Sequence, residues 1–183
     1  MVSDGWEAAL LTWQEHRDRG FREGRGPVKG EALTDFTGLR FYPPDPAWHF
    51  AADVAQLGDF PPEIALDTLD GGTKWFGAFG RVTVTLPGEA TPRTLTLYTP
   101  LGEEQPAVAF VPFRDATSGP ETYGGGRYLD VPLEYSAGQV TARLDFNRAY
   151  FPACAFADGY SCPRPPQEHV FPIPVRVGER LAK

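Results

Sequence analysis

The chain has 183 residues, with 24 acidic and 17 basic side chains giving a formal net charge of -7. Such a balance repels phosphate backbones and anionic bilayers, and no local basic patch outweighs it, so nucleic acid and membrane are set aside as partners. Hydrophobic residues make up 42% and charged residues 22%, as in a soluble globular protein, but 20 Gly and 19 Pro favour short strands and turns over long helices. The length suits one domain spanning residues 1–183. No apolar run approaches the ~20 residues a membrane span needs, and MVSDGWEAAL lacks a basic segment followed by an apolar core, so the cytoplasm is the expected compartment.

Trp6, Ala9, Leu10, Trp13 and Arg17 recur at helical spacing, which predicts an amphipathic helix over residues 3–18 capped by Ser3 or Asp4. Its tryptophan stripe fits a lid laid on a sheet. His16 near the helix end reads as structural or solvated. A loop follows over residues 20–30, then a short helix or turn near Leu33 to Phe36. In GLRFYPPDPAW the prolines exclude a regular helix; Leu39 to Tyr42 reads as a short strand, and Pro43 to Pro46 as a rigid turn. Tyr42, Trp48 and Phe50 supply aromatic bulk for a core.

From residue 63 the pattern is one of strands. Glu63 to Leu69 and Lys74 to Leu86 flank the turn Asp70-Gly71-Gly72, with Gly77 and Gly80 marking a bend and Phe76, Ala78, Gly80, Val82, Val84 and Leu86 on one face. Thr94 to Thr99 pairs with it, Leu95 and Leu97 inward. Ala107 to Phe113 is nearly all apolar, as in a strand buried on both faces. Leu129, Val131, Leu133 and Tyr135 alternate with Tyr128, Asp130, Pro132 and Glu134, and a three-residue turn Ser136-Ala137-Gly138 leads to a strand with Val140, Ala142, Leu144 and Phe146 inward. Phe151 to Pro166 is a long loop, and Phe171 to Val177 is expected to add an edge strand. The expected fold is mainly β (α+β): one strongly bent antiparallel sheet or partly closed barrel over residues 63–183, with the N-terminal helix.

Two polar stretches carry the candidate chemistry: FVPFRDATSGPETYGGGRYLD over residues 110–130 and LDFNRAYFPACAFADGYSCPRPP over 144–166. With the helix residues Trp13, His16 and Arg17 and with GLRFYPPDPAW, they resemble the bacterial and archaeal family of unknown function DUF1684. The resemblance covers nearly the whole chain. It departs at Phe151-Pro152 and at His169, where the family usually carries Asn. It implies no activity.

The glycines 124–126, with Arg127 and Arg114, could form a backbone nest for an anion, or could simply let chain segments pass closely. No P-loop, dinucleotide fingerprint or GxSxG elbow occurs. Asp115, Asp130 and Asp145 each lie near an arginine and read either as acid–base groups or as loop-holding ion pairs. Cys154 and Cys162 are expected to be free thiols, with a local disulfide as the alternative. Together with His169 they supply too few ligands, at the wrong spacing, for zinc. The leading expectation is a pocket between the 110–130 and 144–166 loops that binds a small anionic or polyhydroxylated ligand. Its candidate residues are Arg114, Asp115, Ser118, Tyr123, Arg127, Tyr128, Asp130, Asp145 and Asn147. A hydrolase using an aspartate or Cys154, and a structural or interaction module in which the two stretches lock each other, are the alternatives. The sequence specifies no metal, no cofactor and no oligomeric state.

Overall fold

A computed structural model describes residues 5–58 and 62–182; the expected helix caps Ser3 and Asp4 lie outside these. Helix α1 spans Trp6–Arg22 and buries Trp6, Leu10 and Phe21. It runs a turn beyond the expected end at Asp18. Asp18 and Arg22 pair at i,i+4 (2.7 Å), Phe21 adds buried area, and the helix stops where Gly24 takes a φ of 71°. No helix of the described residues is long and apolar enough to cross a membrane.

A short helix α2 (Glu31–Thr34) and strand β1 (Arg40–Phe41) precede a 3-10 turn at Pro46–Trp48, whose first amide is capped by the Asp45 side chain. Strands β2 (His49–Asp53) and β3 (Ala55–Gln56) follow, then β4 (Glu63–Asp67), β5 (Thr73–Val84), β6 (Arg93–Thr99), β7 (Val108–Phe113), β8 (Arg127–Ser136), β9 (Gln139–Asp145) and β10 (Glu179–Arg180). All pairings between these strands are antiparallel. The main sheet runs β2-β9-β8-β7-β6-β5-β3, with β4 also on β5. Since β2 and β3 are one extended segment broken only at Val54, the first half closes on β9 and the second on β5. The sheet is therefore a nearly closed barrel.

Its interior is filled by alternating residues of successive strands, among them Leu95, Leu97, Val111, Leu129, Val131, Ala142 and Leu144, each at most 1% exposed. Packing of this kind leaves no lumen for a ligand, so a site must lie on the outside of the barrel.

Several expectations need correction. Along β5 the register shifts between Ala78 and Gly80; this bulge turns Phe79, expected off the core face, into the core beside Val82 and Val84. The β8–β9 turn has two residues, Ala137 and Gly138, both at positive φ, as the right-handed strand twist requires. Phe171 to Val177 forms no strand. Pro172 and Pro174 lack amide donors, and the carbonyls of Val175 and Val177 are held by the Arg127 side chain instead. The C-terminal strand comes later, as β10 against β1. Finally, Cys154 and Cys162 are disulfide-bonded, which also removes the thiol that a Cys154 nucleophile would need.

Candidate functional site

The two polar stretches do meet, but largely inside the protein. Arg127, at the start of β8, has no exposed surface. Its Nη1 donates to the carbonyls of Val177 and Glu179, and its Nη2 to the carbonyl of Val175 (2.6 Å) and to Asp115 Oδ1 (3.3 Å). The guanidinium lies over the Phe113 ring at 5.2 Å. Burial lowers the Arg127 pKa, and the Asp115 carboxylate opposes that shift. Asp115 Oδ2 in turn accepts from Thr117 Oγ1 (2.8 Å) and the Val175 amide (2.7 Å), while Ser118 Oγ accepts from the Asp115 amide (3.2 Å). These residues tie the C-terminal segment across the barrel end, with the Arg127 Nη atoms and the Asp115 carboxylate spent on contacts within the chain and the buried Arg127 Nε left without a partner among the described residues.

Asn147 is used in the same way, accepting from the Asp45 amide (2.8 Å) and donating to the Asp45 carbonyl (2.9 Å), so it fixes the proline-rich turn. Tyr128 donates to the Pro163 carbonyl (2.7 Å) and holds the disulfide-containing loop. Gly126 takes a φ of 96°, and a Cβ there would lie 2.4 Å from the Phe113 carbonyl oxygen, so close chain approach accounts for it. The Arg114 side chain is exposed, and Tyr123 is half-buried against Phe151 at 6.4 Å between ring centres.

Asp130 and Asp145 have a different setting. Both line a cavity of about 560 Å³ between α1 and the outer face of β8, β9 and β2. Asp130 and Pro132 come from β8, Arg143 and Asp145 from β9, and His49 from the start of β2, where it pairs with Asp145. The helix supplies the facing wall: Trp6 and Trp13 are seven residues apart, two turns along one stripe.

Trp6 Nε1 donates to Asp145 Oδ2 (2.9 Å), and its ring stacks on His49 at 5.4 Å and 13°. Arg148 reaches Asp145 Oδ2 (3.4 Å) and lies over Trp13 at 5.5 Å. Farther along the helix, Arg17 Nε bonds to buried Glu179 and its guanidinium covers the Tyr150 ring at 4.7 Å. Helix and barrel are thus fastened at both ends of the cavity.

The charges in this cavity are unequally compensated. Arg143 pairs with Glu134 (2.8 Å) and Arg148 with Asp145. Asp130 has only the Tyr150 hydroxyl, at 3.0 Å, and no ion-pair partner among the described residues. The residue is exposed on its open side, but its carboxyl sits in a concave, largely aromatic wall, and desolvation there raises its pKa against the opposing effects of the Tyr150 bond and nearby Arg17. Burial likewise pushes the Tyr150 hydroxyl well above its ordinary range, keeping it a neutral donor. Among the described residues no group of three or more His, Cys, Asp and Glu side chains is placed to hold a metal ion.

Of the nine residues expected at a site, Asp130 and Asp145 share this cavity. Trp6, Trp13, His49, Tyr150, Arg143 and Arg148 were not anticipated there. The helical stripe placed Trp6 and Trp13 on a lid, but it did not reveal which strands that lid covers.

A family model described as "Protein of unknown function (DUF1684)" matches residues 34–180. The solution NMR structure of an uncharacterized protein from Haloarcula marismortui is similar, with 34% sequence identity and a TM-score of 0.74 over 97% of this chain and 95% of that one. No curated protein matches the sequence. The family match begins after α1, whereas the structural likeness extends over it.

Proposed function

The chain belongs to the DUF1684 family, and we propose that it binds a small polyhydroxylated ligand in the cavity between α1 and the barrel. The observation that carries this reading is Asp130, a carboxylate with no ion-pair partner among the described residues, in a concave site walled by tryptophan. A carboxylate of this kind accepts hydrogen bonds from ligand hydroxyls, and the flat faces of indoles pack against the apolar side of a ring. An anionic ligand is disfavoured, because the two cavity arginines already face carboxylates and Asp130 adds a carboxylate with no ion-pair partner among the described residues.

The test is tryptophan emission together with thermal shift across a panel of neutral sugars, polyols, nucleosides and sugar acids. A ligand that binds only the folded state raises the melting temperature, and one entering this cavity also perturbs Trp6 or Trp13. The expected result is that a neutral polyhydroxylated compound does both, with affinity reduced at least tenfold in Asp130→Asn. A panel that produces no shift, or a shift fully retained in Asp130→Asn, overturns the reading.

A further inference from the structure

Strand β7 has the sequence of a strand covered on both faces, but the fold covers only part of its outer one. Ala109, Val111 and Phe113 point into the core, so Val108, Phe110 and Pro112 point outward. At the Pro112 end the outer face is closed by the 3-10 turn at Gln167–His169, where the His169 ring bonds to the Pro112 carbonyl. At the other end Val108 is 45% exposed and Phe110 only half-buried.

These uncovered residues belong to one strip. The Phe110 ring stacks on half-buried Phe76 of β5 at 5.7 Å and 23°, and Phe76 pairs across the ladder with Ile64 of β4, which is 37% exposed. On the other side, Val108 is the cross-strand partner of exposed Pro132, and Phe110 is that of Asp130. Directly opposed residues of an antiparallel pair share a face, with Cβ atoms ~4.5–5.5 Å apart. Asp130 and Pro132 also line the tryptophan-walled cavity. The strip therefore starts at the β8 wall of that cavity and runs outward over β7 toward β5 and β4. Its members beyond Asp130 are all apolar, where the open face of an antiparallel sheet is ordinarily polar, and contiguous exposure of this kind marks a contact surface.

We propose that the ligand of the Asp130 cavity is a neutral amphiphile. Its polyhydroxylated head group lies between α1 and the barrel, and a single aliphatic chain passes Pro132 to lie on Val108, Phe110 and Phe76. This inference rests on the function proposed above and adds the tail to it. Continuity of the strip with the cavity wall favours a tail on the same molecule over a separate partner, because one ligand covers both surfaces while losing its translational freedom only once.

Methyl glucoside and octyl glucoside, the latter below its micellar concentration, are titrated by calorimetry and by amide shifts in the folded protein, with 1-octanol as the tail without its head group. Octyl glucoside is expected to bind at least tenfold more tightly than methyl glucoside, because each methylene group buried even in part tightens binding. It is also expected to shift the amides of Phe76, Val108 and Phe110 and to bind more tightly than octanol. Asp130→Asn is expected to weaken both glucosides at least tenfold. Val108→Ser alters an exposed side chain, so the fold is retained; it is expected to weaken octyl glucoside about fivefold and leave methyl glucoside unchanged. The two readings fail separately. Methyl glucoside that binds through Asp130 with octyl glucoside no tighter, or an octyl advantage fully retained in Val108→Ser with no shift at Phe110, overturns the tail and leaves the function of the cavity standing. Octyl glucoside that binds no better than octanol and is indifferent to Asp130→Asn overturns the head-group reading and the tail with it, as does absence of binding by either glucoside. A dimer in sedimentation that Val108→Ser dissociates gives the strip to a second copy of the chain and overturns the proposal.

Discussion

His169 has no exposed surface and sits where β6 and β7 part, the two strands being in register only at Tyr98 and Phe110. Its Nε2 accepts from the Thr96 amide on β6 (3.0 Å), and its Nδ1 donates to the Pro112 carbonyl on β7 (2.8 Å), so the neutral ring replaces a missing rung of the ladder. Burial lowers its pKa, opposed by the Pro112 bond and by Glu168, while Arg93 adds to the lowering and the Tyr98 ring packs at 5.8 Å. Protonation would set a donor against the Thr96 amide. Because the folded-state pKa lies below that of the unfolded chain, the unfolded state binds more protons as the pH falls below about 6.5. The stabilisation is therefore complete above that pH and is lost progressively beneath it, by up to about 1.4 kcal/mol per pH unit. Asn also presents one donor and one acceptor, but it does not titrate. Urea denaturation of the wild type and of His169→Asn from pH 7.5 to 5.0 should show the difference in stability between them shrinking as the pH falls. This comparison separates His169 from Asp130 and Glu179, whose carboxyls burial raises. Parallel curves would rule out this role for the ring. Arg127 and Asp115 read as ligand groups because a sequence shows donors and acceptors but not the Val175 and Val177 carbonyls that take up the guanidinium, nor the Val175 amide and Thr117 hydroxyl that donate to the carboxylate.

At the scale of elements, α1 was legible from its stripe because burial of one helical face leaves a 3.6-residue period in the sequence. The loop over residues 151–166 has no such period, and its constraints are scattered. The Leu69 amide donates to the Cys162 carbonyl (2.9 Å), the Arg164 amide donates to the Asp67 carbonyl (2.7 Å), and Tyr128 holds Pro163. The disulfide spans a sequence separation of 8, and chain entropy limits the stabilisation from so short a loop to about 2–3 kcal/mol. Reduction is expected to lower the melting temperature by roughly 5–10 °C without unfolding the domain, since the noncovalent anchors remain. Calorimetry with and without a phosphine reductant, with thiols counted in the folded state, checks this. An unchanged melting temperature after complete reduction, or loss of the fold, would contradict it.

For the whole molecule, β8 beyond Leu129 and β9 were readable because one face lies in the core and one toward solvent, so their residues alternate, whereas β6 buries Thr96 and Tyr98 on its outer face as well. The segment that closes the barrel left a weaker trace: Phe50, Ala52 and Val54 do alternate toward the core, but the alanine and the neighbouring proline-rich turn obscure the pattern. Closure also depends on Gly80, a residue expected only to bend β5. Gln56 on β3 pairs directly with Gly80, and the Leu57 amide donates to the Phe79 carbonyl (3.1 Å). A Cβ at position 80 would lie 2.5 Å from Val54 Cγ1 and 2.9 Å from the Ala55 carbonyl oxygen, too close for the closing segment to keep its place. Gly80→Ala is therefore expected to cost about 1–3 kcal/mol, the range for overfilling a packed site. The loss should be localised, with hydrogen exchange accelerating at Gln56 and Leu57 while the central β8–β9 amides keep their relative protection. Closure at β3 positions β2, which carries His49, beside β9, so the same substitution should also weaken any ligand of the Asp130 cavity. Wild-type exchange at Gln56 and Leu57 in Gly80→Ala would show that the barrel closes without a bare backbone at this crossing.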